Sequence, residues 1–300
     1  MRITRRAALL GVGAALATPR VLRAQDGIAG LVAQVNRARL REDVFALSAF
    51  PTRWTGHADF GAVEDWVAEA FGPGVTRQPF QMPGGKVRHN IIAGDLNDPR
   101  EMILVGGHYD STSEREATDA PGANDNATGI AAMLEMQRIL APLALQRQIV
   151  FVAFAGEEQG LIGSTAAARV ATTEGWPIAL MLNLDMLGHR HRQPNAPMVI
   201  EYDQGNAVAR NDAAARDFGQ DAARLAAQHT TLATTHTDIW ASDYMPFEAQ
   251  GFACIGLYDG GAEDALYHTT QDRPDRVDYI RVEQATRLAV AIAAEAAGMA

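Results

Sequence analysis

Histidine and acidic side chains follow three apolar segments of strand length in this sequence. The segments are residues 102–105, 149–154 and 180–184, and the side chains that follow them are His108, Asp110, Glu157, Glu158 and Asp185. In open parallel sheets, ligands bind in the crevice beyond the carboxyl ends of the strands. The three strand ends are therefore expected to bring imidazole and carboxylate groups to one edge of a sheet, where they can bind metal or transfer protons.

Two further residues supply the same chemistry from loops. Asp125 lies in a loop rich in Gly and Asn, residues 121–126, and His268 follows the last apolar strand after an acidic loop. Each has an ordinary explanation by itself; Asp125, for example, could only cap the helix that follows. Carboxylates gathered at one sheet edge would, however, repel one another unless cations were present. Two histidines with carboxylates, and no thiolate, form the ligand set of zinc and similar divalent ions.

Strands that alternate with helices must position these side chains. Residues 149–154 and 180–184 are apolar without alternation, which is typical of strands buried on both faces of a parallel sheet. Further strands are predicted at residues 89–94, 198–202 and 253–257, and helices at the start of the domain from Ile28, at residues 59–71, around 130–140 and around 282–292. The pattern predicts an α/β fold, a three-layer sandwich with helices on both faces of one mostly parallel sheet.

Composition excludes several classes of protein. The chain has 300 residues, of which 47% are hydrophobic and 21% charged, so it is too apolar for a disordered chain. Its formal net charge of −10 argues against binding of nucleic acid. A single cysteine, Cys254, excludes an intramolecular disulfide and a cysteine-rich zinc cluster. No apolar stretch reaches the roughly 18–20 residues that a membrane span needs.

The first 24 residues have the features of an export signal. They contain five arginines and no acid, a short apolar run at residues 7–17, and Ala24 before a cleavage point at Gln25. The pair Arg5 and Arg6 resembles a twin-arginine signal. We therefore expect residues 1–24 to be an export signal and residues 25–300 to be one catalytic domain, located in the periplasm or secreted.

Five ordered motifs between residues 87 and 272 resemble those of the two-zinc aminopeptidases of the secreted bacterial leucine-aminopeptidase type, peptidase family twenty-eight. The motifs are His-Tyr-Asp-Ser at 108–111, Gly-Ala-Asn-Asp-Asn-Ala-Thr-Gly at 122–129, Ala-Gly-Glu-Glu-Gln-Gly-Leu at 155–161, Asn-Leu-Asp-Met at 183–186 and Tyr-His-Thr-Thr-Gln-Asp at 267–272. Each motif alone is weak, but five in this order are highly specific. The resemblance implies the fold of a zinc exopeptidase.

The resemblance also implies the ligands of two zinc ions per chain. Asp125 would bridge the ions, His108 and Asp185 would complete one site, and Glu158 and His268 would complete the other. This set agrees with the residues that the strand ends and loops supply.

Catalytic roles follow from the same resemblance. Glu157 would be the general base that takes a proton from the attacking water, and Asp110 would hold the second ring nitrogen of the zinc-binding histidine. Tyr244 stands where many relatives have histidine, and a tyrosine that polarises the substrate carbonyl in the best-known relative has no clear counterpart. Tyr244, Tyr267 and Trp240 are alternative candidates for this part.

The sequence thus predicts a metallo-aminopeptidase, a monomer that acts on peptides with a free N-terminus. One alternative is a transferase similar to glutaminyl cyclase, which shares the fold and works with one zinc ion; the intact His108 and the surroundings of Asp185 favour two. A second alternative is a carboxypeptidase of the same fold, which would need a cationic pocket for the substrate carboxylate. A third is a binding domain without activity, which the complete ligand set and base disfavour.

Overall fold

An eight-stranded sheet forms the centre of the computed structural model, which describes residues 27–193, 195–205, 208–260 and 265–298. The predicted export signal lies outside the described residues. The strands are β1 (Thr76–Gln81), β2 (Val87–Ala93), β3 (Met102–His108), β4 (Gln148–Phe154), β5 (Ile178–Asp185), β6 (Met198–Tyr202), β7 (Thr234–Thr237) and β8 (Cys254–Tyr258). Their order across the sheet is β1-β2-β4-β3-β5-β8-β6-β7.

The middle of the sheet is parallel, as predicted. Strand β3 pairs in parallel with β4 and β5, and β5 pairs in parallel with β8. Antiparallel pairs occur towards the margins, where β2 joins β1 and β4 and where β6 joins β8. All seven residues of β3 are buried, which explains its lack of alternation. The carboxyl ends of β3, β4, β5 and β8 consequently meet at one edge.

Helices cover both faces of the sheet, so the predicted three-layer fold is confirmed. The helices are α1 (Gly27–Val32), α2 (Arg37–Leu47), α3 (Phe60–Phe71), α4 (Thr128–Leu140), α5 (Ile162–Glu174), α6 (Asp212–His229), α7 (Tyr244–Ala249) and α8 (Tyr279–Ala297). Side chains from one face of the strands pack with α4 and α8, and those from the other face pack with α5 and α7. None of the described helices is long and apolar enough to cross a membrane.

Three local differences from the sequence prediction have physical causes. The edge strands β1 and β7 were not predicted, because TRQPFQ and TTHT contain no apolar run and gain their strand form from pairing. The predicted opening helix ends at Val32, and a second helix, α2, begins at Arg37, where the Asn36 side chain caps it by accepting hydrogen bonds from the amides of Ala38 and Arg39.

Candidate active site

The last residue of β3, His108, lies buried among carboxylates from other segments. Its Nε2 atom is 3.1 Å from Asp125 Oδ1 and 3.5 Å from Asp185 Oδ1, at the end of β5. Burial lowers the pKa of His108, but the surrounding carboxylates, Glu157 foremost, raise it well above its ordinary value. The parallel pairing of β3 with β5 explains why residues so far apart in sequence meet here.

Asp125 lies between this histidine and a second one. Its Oδ2 atom is 3.3 Å from His268 Nε2, which is in turn 2.9 Å from Glu158 Oε2. The donor atoms therefore form two groups that share Asp125. One consists of His108, Asp125 and Asp185 and the other of Asp125, Glu158 and His268, and within each group the atoms lie within 4.8 Å of one another.

The loop that carries Asp125 is held from two directions. The Asp272 carboxylate accepts hydrogen bonds from the amides of Asn124 (2.8 Å) and Asp125 (3.0 Å). The side chain of Asn126 donates to the carbonyl of Leu184 (2.8 Å), next to Asp185 in β5. The position of Asp125 is thus fixed by the motif residues around it.

Asp110 connects the ends of β3 and β4. Its fully buried carboxylate accepts hydrogen bonds from the amides of Glu157 (3.2 Å) and Glu158 (3.3 Å). The carboxylate is 3.8 Å from His108 Nδ1, whereas the main-chain oxygen of Asp110 is 3.2 Å from that nitrogen. The main-chain oxygen of Asp110 therefore makes the closer contact with His108. Its carboxylate contacts the turn that contains Glu157 and Glu158.

The donor set fits divalent cations. Glu158 Oε1 and Asp185 Oδ1 are buried and have no hydrogen-bond partner among the described residues. Burial and the charge of Asp125 raise the pKa of Glu158 to about 7. Burial lowers the pKa of His268, but hydrogen bonds with Asp125 and Glu158 outweigh it and raise the pKa to about 10. Raised pKa values of this kind are expected of closely spaced metal ligands without their cation, because the ligands then bind protons that a cation would replace.

A cavity of about 580 Å³ opens beside the two donor groups. Glu157 lines it, and burial raises the pKa of this carboxylate well above its ordinary value. Apolar and aromatic residues form much of the remaining wall, among them Met186, Val199, Trp240, Tyr258 and Tyr267. None of the described residues that line it is lysine or arginine.

The three candidates for carbonyl polarisation differ in availability. The Tyr244 hydroxyl donates to Glu201 (2.8 Å) and accepts from the amide of Trp240 (2.8 Å), so it is already engaged. The Tyr267 ring stacks on His268 with 3.6 Å between centroids and is 47% exposed. The Trp240 side chain is 78% exposed.

Two important residues were missed at the sequence level. Arg53 is fully buried and donates to the carbonyls of Tyr109 (2.7 Å), Pro121 (2.5 Å) and Gly122 (2.8 Å), which flank the His108 and Asp125 segments. Burial lowers its pKa to about 10, against the opposing influence of nearby carboxylates.

Glu201 lies in the cavity wall, and its position inside the apolar strand MVIEY was a signal that could have identified it.

Solved structures with this fold include aminopeptidases and a glutaminyl cyclase. LapA aminopeptidase of Legionella pneumophila has a TM-score of 0.78 and 16% identity, with coverage of 100% of this chain and 80% of that one. A glutaminyl cyclase of Bacteroides thetaiotaomicron has a TM-score of 0.71 and 19% identity, with coverage of 86% and 97%. At these identities the likeness establishes the fold.

The sequence comparison establishes the family. The model of peptidase family M28 matches residues 90–293, and the chain belongs to this family. It is 32% identical over 187 residues to a probable zinc metalloprotease of Pyrenophora teres f. teres, with coverage of 53% of this chain and 40% of that protein. It is 31% identical over 203 residues to aminopeptidase YwaD of Bacillus subtilis, with coverage of 65% and 41%. The matched parts are about two fifths of the length of these two curated relatives.

Proposed function

We propose that the protein is a zinc-dependent aminopeptidase with two zinc ions per chain. The observation that carries the proposal is the pair of donor groups that share Asp125 beside a substrate-sized cavity. His108 and Asp185 hold one ion with Asp125, and Glu158 and His268 hold the other. Bound zinc supplies Lewis-acid polarisation of the scissile carbonyl and lowers the pKa of water. Family membership and the relatives named as zinc metalloprotease and aminopeptidase support this assignment.

Glu157 acts as the general base. It lines the cavity within 4.8 Å of a His108 ligand atom and is absent from the two groups that share Asp125. Its carboxylate takes a proton from the attacking water and delivers the proton to the leaving amine.

The cavity favours substrates with a free amino group. Its acidic lining includes Glu157, Glu201 and Asp238, and it contains no arginine or lysine among the described residues. An ammonium group is attracted to such a lining, whereas the carboxylate recognised by a carboxypeptidase is repelled. This charge distribution supports cleavage at the N-terminus of a peptide.

A panel of aminoacyl chromogenic amides tests the activity. We expect hydrolysis of substrates with a free amino group and no hydrolysis of their N-acetylated counterparts. Activity only on the blocked substrates would overturn the aminopeptidase assignment. Cyclisation of N-terminal glutamine, with one zinc ion per chain by elemental analysis, would instead support the cyclase alternative, which the glutaminyl cyclase of the same fold keeps open.

We also propose that the protein is exported and that residues 1–24 are removed. This segment has an arginine-rich start, an apolar run and a cleavage point in that order, as export signals do, and this supports the proposal. Mass spectrometry of the exported protein is expected to show an N-terminus at or near Gln25, and retention of Met1 would contradict it.

A further inference from the structure

A second group of carboxylates lies where β6, α6 and α7 meet, separate from the residues that line the cavity. Asp203 directly follows β6, Asp212 begins α6, and Glu248 lies in α7. One ligand atom of each residue lies within 4.8 Å of those of the other two. Asp203 and Glu248 are each 1% exposed, so water screens their charges weakly.

Several buried oxygen atoms in this region accept no hydrogen bond from any described residue, Asp212 Oδ1 among them. Two others are Glu248 Oε2 and Asn211 Oδ1. The remaining polar atoms of these two side chains are paired, since Asn211 Nδ2 donates to Glu248 Oε1 (3.2 Å) and to the Phe252 carbonyl (2.7 Å). These bonds fix both side chains and leave the two oxygens as available acceptors. Buried acceptors in native proteins nearly always have a partner.

The described residues supply no cationic partner for two members of this group. No lysine or arginine of the described ranges forms an ion pair within 4.0 Å with Asp212 or Glu248. Burial raises the pKa of Glu248, and burial together with Asp203 raises the pKa of Asp212. A cation bound between carboxylates at this separation would compensate their charge in place of protons.

We propose that Asp203, Asp212 and Glu248 bind one calcium ion. The grouped donors are carboxylate oxygens, with the amide oxygen of Asn211 beside them, and hard oxygen ligands of this kind suit Ca²⁺. Zinc is disfavoured because the group contains no imidazole, and the nearby thiol of Cys254 donates to the Phe252 carbonyl (3.4 Å). The ion would join the end of β6 to the start of α6 and the end of α7.

Calcium titration of the full, zinc-saturated protein tests this site, with isothermal calorimetry and thermal unfolding as readouts. We expect one Ca²⁺ per chain beyond the zinc, and an increase in Tm of about 5 °C at a calcium concentration about 100 times Kd. Magnesium at the same concentration is expected to have a smaller effect, because it demands a tighter octahedral geometry. Equal or stronger binding of magnesium would overturn the calcium assignment.

Glu248→Gln is the diagnostic variant. It keeps the size of the side chain and the acceptor for Asn211, but it removes one ligand charge. We expect it to weaken calcium binding at least tenfold and to lose the calcium-dependent increase in Tm. The matched control is Asp217→Asn, which removes the same charge from an exposed position of α6 and should leave the calcium response intact.

Asp203→Asn provides a second, independent variant if Glu248→Gln does not fold, and it should also lose the calcium response. A wild-type protein that binds no calcium, with variants of unchanged or higher Tm, would show that protons compensate the carboxylates and would overturn the proposal. These readouts do not depend on peptidase activity, so the calcium site and the proposed function can fail separately.

Discussion

Glu157 and Glu158 are neighbours with the same side chain, yet their environments differ. Glu158 Oε2 is 2.9 Å from His268, and the side chain is 3% exposed. Glu157 lines the cavity, where Asp243 and Asp185 add to the effect of burial on its pKa. Both residues lie in the turn that follows β4, and this turn directs one carboxylate to His268 and the other to the cavity.

The two glutamates are therefore expected to respond differently to the same substitution. Glu157→Gln should retain two zinc ions and near-normal KM, with kcat lower by on the order of 10²–10⁴. Glu158→Gln should lose zinc, and excess zinc should restore part of its rate. Elemental analysis and steady-state kinetics distinguish the two. Loss of zinc from Glu157→Gln, with both ions retained in Glu158→Gln, would reverse the assigned roles.

Among the secondary-structure elements, the central strands could be predicted from the sequence because burial on both faces leaves a local signature. The central strands are apolar without interruption, and the side chains at their ends could be placed at one edge because parallel strands share a direction. The edge strands carry no such signature, since β1 and β7 depend on neighbours for their form. Arg53 could not be identified for a related reason. Its burial results from two distant segments that close around it, and no local pattern encodes that closure.

Strand β6 places the Glu201 carboxylate in an apolar environment. The free energy of unfolding is therefore expected to depend on pH. Burial raises the pKa of Glu201 to about 7, with a further contribution from the Asp185 charge, while the Tyr244 hydroxyl hydrogen bond opposes the shift. The folded state therefore binds more protons than the unfolded state between about pH 4.5 and 7. Ionisation of Glu201 destabilises the folded protein as pH rises through this interval.

Glu201→Gln removes this ionisation and can still accept the hydrogen bond from Tyr244. Relative to wild type, the variant should gain stability between pH 5 and pH 8, by on the order of 3 kcal/mol at most. Urea unfolding of both zinc-saturated proteins at several pH values measures the difference. A difference in the free energy of unfolding that is constant with pH would contradict the assignment of a raised pKa to Glu201.

At the scale of the whole molecule, the candidate metal centre joins segments from across the chain. His108, Asp125, Glu158, Asp185 and His268 come from three strand ends and two loops. Cations that bind only the folded protein stabilise it, and their removal leaves these carboxylates to repel one another or to take up protons.

Removal of zinc is accordingly expected to lower stability as well as activity. A chelator selective for zinc, used with millimolar calcium present, should lower Tm by on the order of 10 °C. Addition of zinc should restore both Tm and the rate of hydrolysis. Full activity in the chelated, zinc-free protein would contradict the metal-dependent mechanism, and differential scanning calorimetry of the same samples reports the change in stability.

The manner in which Arg53 holds the site has a consequence for tolerance to mutation. The guanidinium contacts the main-chain carbonyls of residues 109, 121 and 122, a group that every amino acid possesses. The anchor thus recognises the path of the backbone, and at residue 122 it also requires glycine, because φ is +50° and a Cβ there would lie 2.8 Å from Arg53 Nη2. Substitutions at the anchored positions are therefore expected to be tolerated only where they preserve the course of these loops around the candidate metal ligands, and the one inaccessible arginine has to be retained.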